Sequence, residues 1–459
     1  MTGTAVDAAP GTEVVAGPAV IDGERRDWLA AAWSQIRPGR LRDLVAGMTG
    51  IASPTGEEAE LARWLAGTLT DLGLSGRYQP IDADQGNAVG RLAGDGTGAD
   101  LLLYAPIDTL TVGTEAEDLP WAGPRLREDL RPQARVEGNY VIGLGASNPK
   151  GHGACLVAAA DAVRRAGVRL RGDVRVGLGA GGMPTNKRPV PHVNRFSTGQ
   201  GTGCSFLLEQ GGWADFAVIA KPGWAVAWEE VGLCWFEILV HGTYSYVGSR
   251  HRLPYRNPIV DAATVVQGLE EWFPRYAAAH TDGLVAPQGN IGAVRGGWMR
   301  TGSLSPAACQ LLVDLRTSPR TDPMQVKREF GAALAGILAA HPGLELSWEM
   351  VLSIPGTATP RDSWVVRAAV AAWEELERRP HQPILHHSGA TDANILRNRG
   401  LPTARIGMDR AGPEAPLPVD FPMGMNVADL REMERLTRHL VYVIITTCTR
   451  TRAELGLTQ

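Results

Sequence analysis

His386 and His387 stand side by side just ahead of the segment SGATDA. Imidazole titrates near neutral pH, so the pair is a candidate for proton transfer, set against the plainer reading of packed or surface histidines. Lys221 follows the apolar run DFAVIA. A lysine at a strand end can hold an anion or, with its pKa lowered by burial, act as a base. Glu229 and Glu230 are adjacent carboxylates that could serve a site or simply cap a solvated strand. Cys204 in GTGCS is a thiol nucleophile candidate, but no Ser-His-Asp order or nucleophile elbow accompanies it. The five cysteines are scattered without a C-x-x-C pair, which fits reduced, buried thiols and a cytoplasmic setting.

These residues need a scaffold, and the hydrophobic periodicity describes one. Residues 25–50 carry apolar side chains at helical spacing, split by Pro38-Gly39, and a further helix over ELARWLAGTLTDLGL closes at Gly73. ADLLLYAPID, DVRVGLGA and DFAVIA are short apolar runs of the kind that form buried parallel strands, and GACLVAAADAVRRAG between them reads as a helix. This alternation predicts an α/β sandwich around a mainly parallel sheet. From 231 to 352 the pattern changes to strand–helix–strand–strand–helix–strand, from CWFEILVHGTYSYV through LELSWEMV. That is a ferredoxin-like α+β order. Helix 363–378, the strand LPTARIG and helix 430–447 then resume the first style. The expected organisation is an arm over 1–24, a discontinuous α/β domain over 25–230 and 353–459, and an inserted domain over 231–352.

Hydrophobic residues make up 44% and charged residues 20%, with a formal net charge of -4, so no field favours nucleic acid or an anionic membrane. No long apolar run predicts a membrane span. The Ala/Gly/Pro/Thr-rich start lacks the basic and apolar regions of a secretory signal and reads as a mobile arm.

Taken in order, SPTGEE (53–58), LLLYAPIDT (101–109), GLGASNPKGHGA (143–154), the Gly242–Gly248 stretch followed by NPIVDAA, GAVRGG, VDLR, SGATDA and GLPTARIG resemble the zinc-dependent exopeptidases and deacylases. That family, the M20-like peptidases, includes acetylornithine deacetylase, succinyl-diaminopimelate desuccinylase, aminoacylase and glutamate carboxypeptidase. The resemblance spans about Leu41 to Val443. It implies two zinc ions at the C-terminal ends of the sheet strands, held by histidine and carboxylate and activating a water.

Each implied ligand position carries another residue. The first histidine falls on Pro106, although Asp108 remains two residues on, and the bridging aspartate falls on Asn148. The paired glutamates, base and ligand, fall on Gly181-Gly182, and the next carboxylate falls on Lys221. The stretch 411–429, where the last histidine is expected, contains none, and the lid histidine aligns with Tyr246. The resemblance therefore implies a pocket without metal or other cofactor.

Asp108, Asn148, Lys150, Thr391 and Asp392 keep positions that line the family's cleft, or else knit strand ends by hydrogen bonds. Tyr244, Tyr246, Arg250 and His251 lie in the lid loop, where they could cover a substrate or meet a second subunit. His152 and Arg316 read as architectural, and 184–203, rich in Gly, Pro and cations, reads as a remodelled loop. Lys221, His387, Asp108 and Tyr246 are the expected catalytic candidates. Asn148, Lys150, His386, Thr391, Asp392, Arg250, Glu229 and Glu230 are the expected substrate contacts.

Three readings follow. The first is a metal-independent enzyme performing cyclisation, elimination or acyl transfer on a small amino-acid-derived substrate, conceivably bound to a carrier protein, in a biosynthetic pathway. The second is a non-catalytic binding or partner subunit. The third is an amidohydrolase with substitute ligands from His386, His387, Glu229 and Glu230. A homodimer through the inserted domain is expected from the resemblance.

Overall fold

The computed structural model describes residues 21–185, 199–417 and 424–457. The two principal sheets use, in chain order, β1 (Arg77–Pro80), β2 (Gly86–Leu92), β3 (Leu101–Pro106), β4 (Val174–Gly179), β5 (Phe216–Ala220), β6 (Gly232–His241), β7 (Gly289–Gly296), β8 (Ala308–Thr317), β9 (Leu346–Ile354) and β10 (Thr403–Ile406).

The first sheet has the order β1-β2-β4-β3-β5-β10. Its β4–β3, β3–β5 and β5–β10 pairings are parallel, and β1–β2 and β2–β4 are antiparallel. Side chains alternate across a strand, so β3 and β5 divide their residues between two cores. Leu101, Leu103, Val218 and Ala220 pack with helices Pro38–Thr49, His152–Arg165, Trp364–Glu377 and Leu430–Cys448. Leu102, Tyr104, Ala217 and Ile219 face the other way, onto helices Thr202–Glu209 and Ala393–Asn398. Both faces are covered, which is why these strands read as continuous apolar runs.

The second sheet is β7-β8-β6-β9, wholly antiparallel and in ferredoxin-like order. Phe236, Ile238, Val240, Leu311 and Val313 occupy one face and pack on helices Pro258–His280 and Pro323–Ala340. The long strand expected through residue 247 stops at His241: a Cβ at Gly242 would come within 2.3 Å of Pro258, so the chain passes tightly there. Ser245–Tyr246 instead pairs with Leu304–Ser305. The β1–β2 ribbon escaped the sequence reading because its first strand, RYQP, is short and mostly polar.

Residues 1–20 of the expected arm lie outside the described residues. The remainder joins a helix, because the Asp22 carboxylate accepts from Arg25 N and caps Gly23–Trp33. Among the described residues no helix is long and apolar enough to cross a membrane.

The chain between the sheets is stitched by buried polar contacts. Glu229 accepts from Arg320 Nη1 at 2.8 Å and from Leu284 N. His387 N donates to Leu284 O, and Ala286 N donates to His387 O, both at 3.0 Å.

In the second core Phe236 and Phe330 stack with ring centroids 4.0 Å apart. Phe330→Ala is expected to cost about 3–5 kcal/mol, read as a fall in the urea midpoint; a change below about 1 kcal/mol would contradict this packing.

Candidate active site

Parallel pairing sets Pro106 opposite Gly179 and Ala220 opposite Ile406, so these strands end on one rim. The segments just beyond therefore converge: Asp108, Gly181-Gly182 and Lys221, where open α/β sheets bind ligands. The Ala146–Gly151 turn completes the rim and carries Asn148 and Lys150.

Asp108 is wholly buried, and its carboxylate accepts from Gly182 N at 2.8 Å, Met183 N at 2.9 Å and Thr55 Oγ1 at 2.7 Å. Glu58 is equally buried; it accepts from Gly181 N at 2.9 Å, Gly56 N at 3.0 Å and Gln85 Nε2 at 3.2 Å. Burial, reinforced by the Asp108 charge, pushes the Glu58 carboxyl up to about 8. The amides of the 181–183 turn are thus spent on two carboxylates behind the rim.

Lys221 is buried against the turn, with Nζ 3.5 Å from Asn148 Oδ1. Burial lowers its pKa, while the Asp392 and Asp108 carboxylates act the other way. Asp392 is pushed up to about 7 by burial, against the pull of Lys221. Its Oδ2 and the Tyr104 hydroxyl are buried without a well-formed hydrogen bond, yet close enough to influence each other's protonation. A buried amine and a buried carboxyl thus lie together, each with its charged form disfavoured by burial and favoured by the other.

Gly182 has no room for a side chain, since a Cβ would lie 2.3 Å from Pro106 Cβ and 3.1 Å from Asp392 Oδ2. Proline, glycine and aspartate interlock where the resemblance implied a histidine and a glutamate ligand. Pro106 and Gly182 bring no donor atom, Asn148 is neutral and Lys221 is a cation, so these positions do not fit zinc. Among the described residues no group of three or more His, Cys, Asp or Glu is placed to hold a metal ion.

Thr391 precedes Asp392 and donates through Oγ1 at 2.6 Å to Glu230, which also meets Arg405 at 3.4 Å. Arg397 lies 4.0 Å from the same carboxylate. Glu229 and Glu230 are thus buried ion-pair partners, not solvated ends. His387 packs beside this cluster with both ring nitrogens buried and unpartnered among the described residues, its pKa lowered by burial and by Arg405. His386 is exposed, with φ +58.

Lys150 is buried, donates to Ile51 O at 2.8 Å, and is lowered by burial to about 7. His152 bonds Ser147 O through Nδ1 at 2.8 Å and accepts from Met408 N at Nε2, and burial lowers it to about 3. Cys204 is buried with its pKa raised well above the usual thiol range, against a thiolate role. Among the described residues no hydrogen bond or ion pair brings Tyr246 or Arg250 to the rim cluster. Tyr246 is exposed on the short ladder with Leu304–Ser305, and Arg250 stacks on Tyr255 at 4.7 Å. Of the expected remodelled loop, 186–198 lies outside the described residues.

Two openings lie near this region. One, of ≈ 30 Å³, meets Asp392 between Gly182 and Thr391 on the rim and Leu233, Arg316 and Ile354 of the second sheet. A larger cavity of ≈ 590 Å³ lies beyond the Ala146–Gly151 turn, against Thr109, Leu110, Trp121, Leu144, Gly145 and Met425. Glu58, Tyr104 and Arg405 were not among the expected site residues. Glu58 was visible within SPTGEE as a helix-start acid, while Tyr104 and Arg405 sit inside apolar strand runs that carry no chemical signal.

A parallel sheet with its site at the carboxyl ends, interrupted by a ferredoxin-like unit, is the architecture of the M20 metallopeptidases and related amidases. The solved structures agree. The M20 family metallo-carboxypeptidase of Sulfolobus solfataricus matches 89% of this chain and 99% of its own, at 15% identity and a TM-score of 0.64. A dipeptidase of Saccharomyces cerevisiae matches 91% and 98%, at 11% identity and 0.67. A hydantoinase/carbamoylase family amidase of Burkholderia ambifaria matches 93% and 99%, at 18% identity and 0.56. No protein-family profile matches the chain. At these identities the likeness shows the fold.

Glu58 gives a pH test. Between the ordinary Glu value of 4.5 and about 8 the unfolded chain ionises while the folded one stays protonated, so stability falls as pH rises through that window. Glu58→Gln, with Gln85 able to turn its amide to match, is expected to raise Tm at pH 9 and to leave it nearly unchanged at pH 4. Equal Tm differences at both pH values would refute the raised pKa.

Proposed function

We propose that the chain is a metal-independent enzyme that uses the rim centre on a small, amide-bearing, amino-acid-derived substrate. The observation that carries this reading is the Lys221 ammonium beside Asn148 Oδ1, at strand ends where a dication would otherwise be held. A cation there repels metal ions but can stabilise developing negative charge on a carbonyl oxygen.

The Asn148 amide and Lys221 would orient and polarise the substrate carbonyl, and Asp392 would accept or return a proton near neutral pH. Among the described residues the rim presents no activated thiol or serine to act as a nucleophile. Intramolecular attack by a substrate amine or hydroxyl, elimination or acyl transfer therefore suits it better than hydrolysis, because such reactions gain most from positioning. A biosynthetic step, with the substrate free or on a carrier protein, fits that chemistry. The reading as a binding subunit draws support from Asp108, whose carboxylate is wholly occupied by the turn it holds.

Metal content by mass spectrometry and turnover of a panel of N-acyl and N-aminoacyl amino acids test the proposal. The expected result is substoichiometric zinc and chelator-insensitive turnover, reduced at least ~100-fold in Lys221→Ala. Stoichiometric zinc with chelator-sensitive turnover would overturn the enzyme reading; metal-free protein inert to the whole panel would favour the binding subunit.

The second sheet supports a homodimer. β7 is an edge strand with Val294 exposed, and Trp298, Met299 and Val260 extend its apolar surface, a liability when uncovered. Light scattering is expected to give twice the chain mass, and half of that for Val294→Lys. A monomeric parent protein would dismiss this interface.

A further inference from the structure

A third cavity, of ≈ 200 Å³, lies at the other end of the first sheet. Its floor follows from strand register. Arg77 is opposite Val89, Arg91 is opposite Arg175, and Leu102 is opposite Arg175, so three arginines share one face at the start of β3 and β4. Further along that face Leu207 of the helix Thr202–Glu209 covers Gly177, where a Cβ would meet it at 2.7 Å. The helix ends at Glu209 and Gly211, with φ +82, turns the chain away, so the arginine end of the face stays open.

Like charges directly opposite across an antiparallel pair are destabilising unless something compensates them. Asp173 compensates in part: it accepts from Arg91 Nη2 and Arg175 Nη2, both at 3.1 Å, and from Gly94 N. Asp100 reaches Arg175 only at 3.5 Å. Two carboxylates thus face three guanidinium groups. Among the described residues Arg77 has no hydrogen-bond or ion-pair partner, and Arg175 Nε is buried with none. Ser75 and the Gln210 amide line the same cavity and likewise make no side-chain hydrogen bond among the described residues. The two guanidinium groups are donors only, and the Ser75 hydroxyl and the Gln210 amide can each add a donor.

We propose that this cavity binds a phosphoryl group, with Arg77 and Arg175 as the charged donors and Ser75 and Gln210 completing the shell. Planar guanidinium forks match the oxygen spacing of a phosphoryl group; Arg175 is held in place by Asp173, and Arg77 stands free to close on the anion. The site sits at the amino ends of the parallel strands, away from the Lys221 rim, and stands independently of the function proposed above. Its occupant is free phosphate or the terminal phosphate of an organic monoester, which present the same chemistry to the arginines.

Isothermal titration of the full chain with phosphate, pyrophosphate and glycerol phosphate, each against sodium chloride of matched ionic strength, tests this. Saturable binding of one ion per chain is expected, weakened roughly tenfold or more in Arg77→Ala. Arg77 is exposed and unpaired, so that variant should keep the parent Tm in chloride. Arg77→Lys should fall between the two. Tighter binding of glycerol phosphate assigns an organic monoester, and tighter inorganic phosphate assigns the free ion. Heats no larger than those of chloride, or equal affinity in Arg77→Ala and the parent, would overturn the site.

Discussion

The carboxylate of Asp108 holds the rim of the first sheet together. It lies just past β3 and accepts from two successive amides of the turn after β4 and from the Thr55 hydroxyl. Three segments distant in sequence thus meet at one buried anion, and bonds from neutral donors to a charged acceptor are among the stronger ones a protein makes. The turn so held presents Gly182 to Pro106 and Asp392 with no space for a side chain. The shape of the rim and its residue types follow from that lock.

A second consequence is electrostatic. Burial first, and the neighbouring Asp108 charge second, push the Glu58 carboxyl up to about 8. Asp392 is raised for a similar reason but also feels the Lys221 cation. The rim therefore holds acids and an amine together, and among the described residues no cluster of carboxylates is placed to hold a dication. On the function proposed, that grouping is what makes proton movement at neutral pH available.

The second unit meets the first at Glu229, and the neighbouring Glu230 ties that joint to the first sheet's own residues. Glu229 is clamped by Arg320 and by a backbone amide of the second unit, while Glu230 is held by Thr391, Arg405 and Arg397. Removing one partner of such a pair leaves an uncompensated buried charge, so the seam is specific in geometry even where its net contribution to stability is modest. The opening at Asp392 lies on this seam, so the relation of the two sheets governs access to the carboxyl.

The sequence by itself determined the architecture. The apolar runs of β3, β4 and β5, the helices between them and the strand–helix alternation over 231–352 are local periodicities, and burial enforces them wherever they occur. It also determined which residue types stand at Pro106, Asn148, Gly182 and Lys221, because motif order locates them without a structure. Only the tertiary structure decided what the charged residues do. Glu229 and Glu230 read as a solvated strand end until the fold brought Arg320 and Arg405 from far along the chain. His386 and His387 are adjacent in sequence, yet one is exposed and the other is half-buried, its ring nitrogens covered beside an ion-pair network. Tyr104 and the Arg77–Arg91–Arg175 face carry no local signal, and SPTGEE shows Glu58 only as a helix-start acid, since a side chain's pKa and partners depend on neighbours supplied by strand register and burial, not by the adjoining residues.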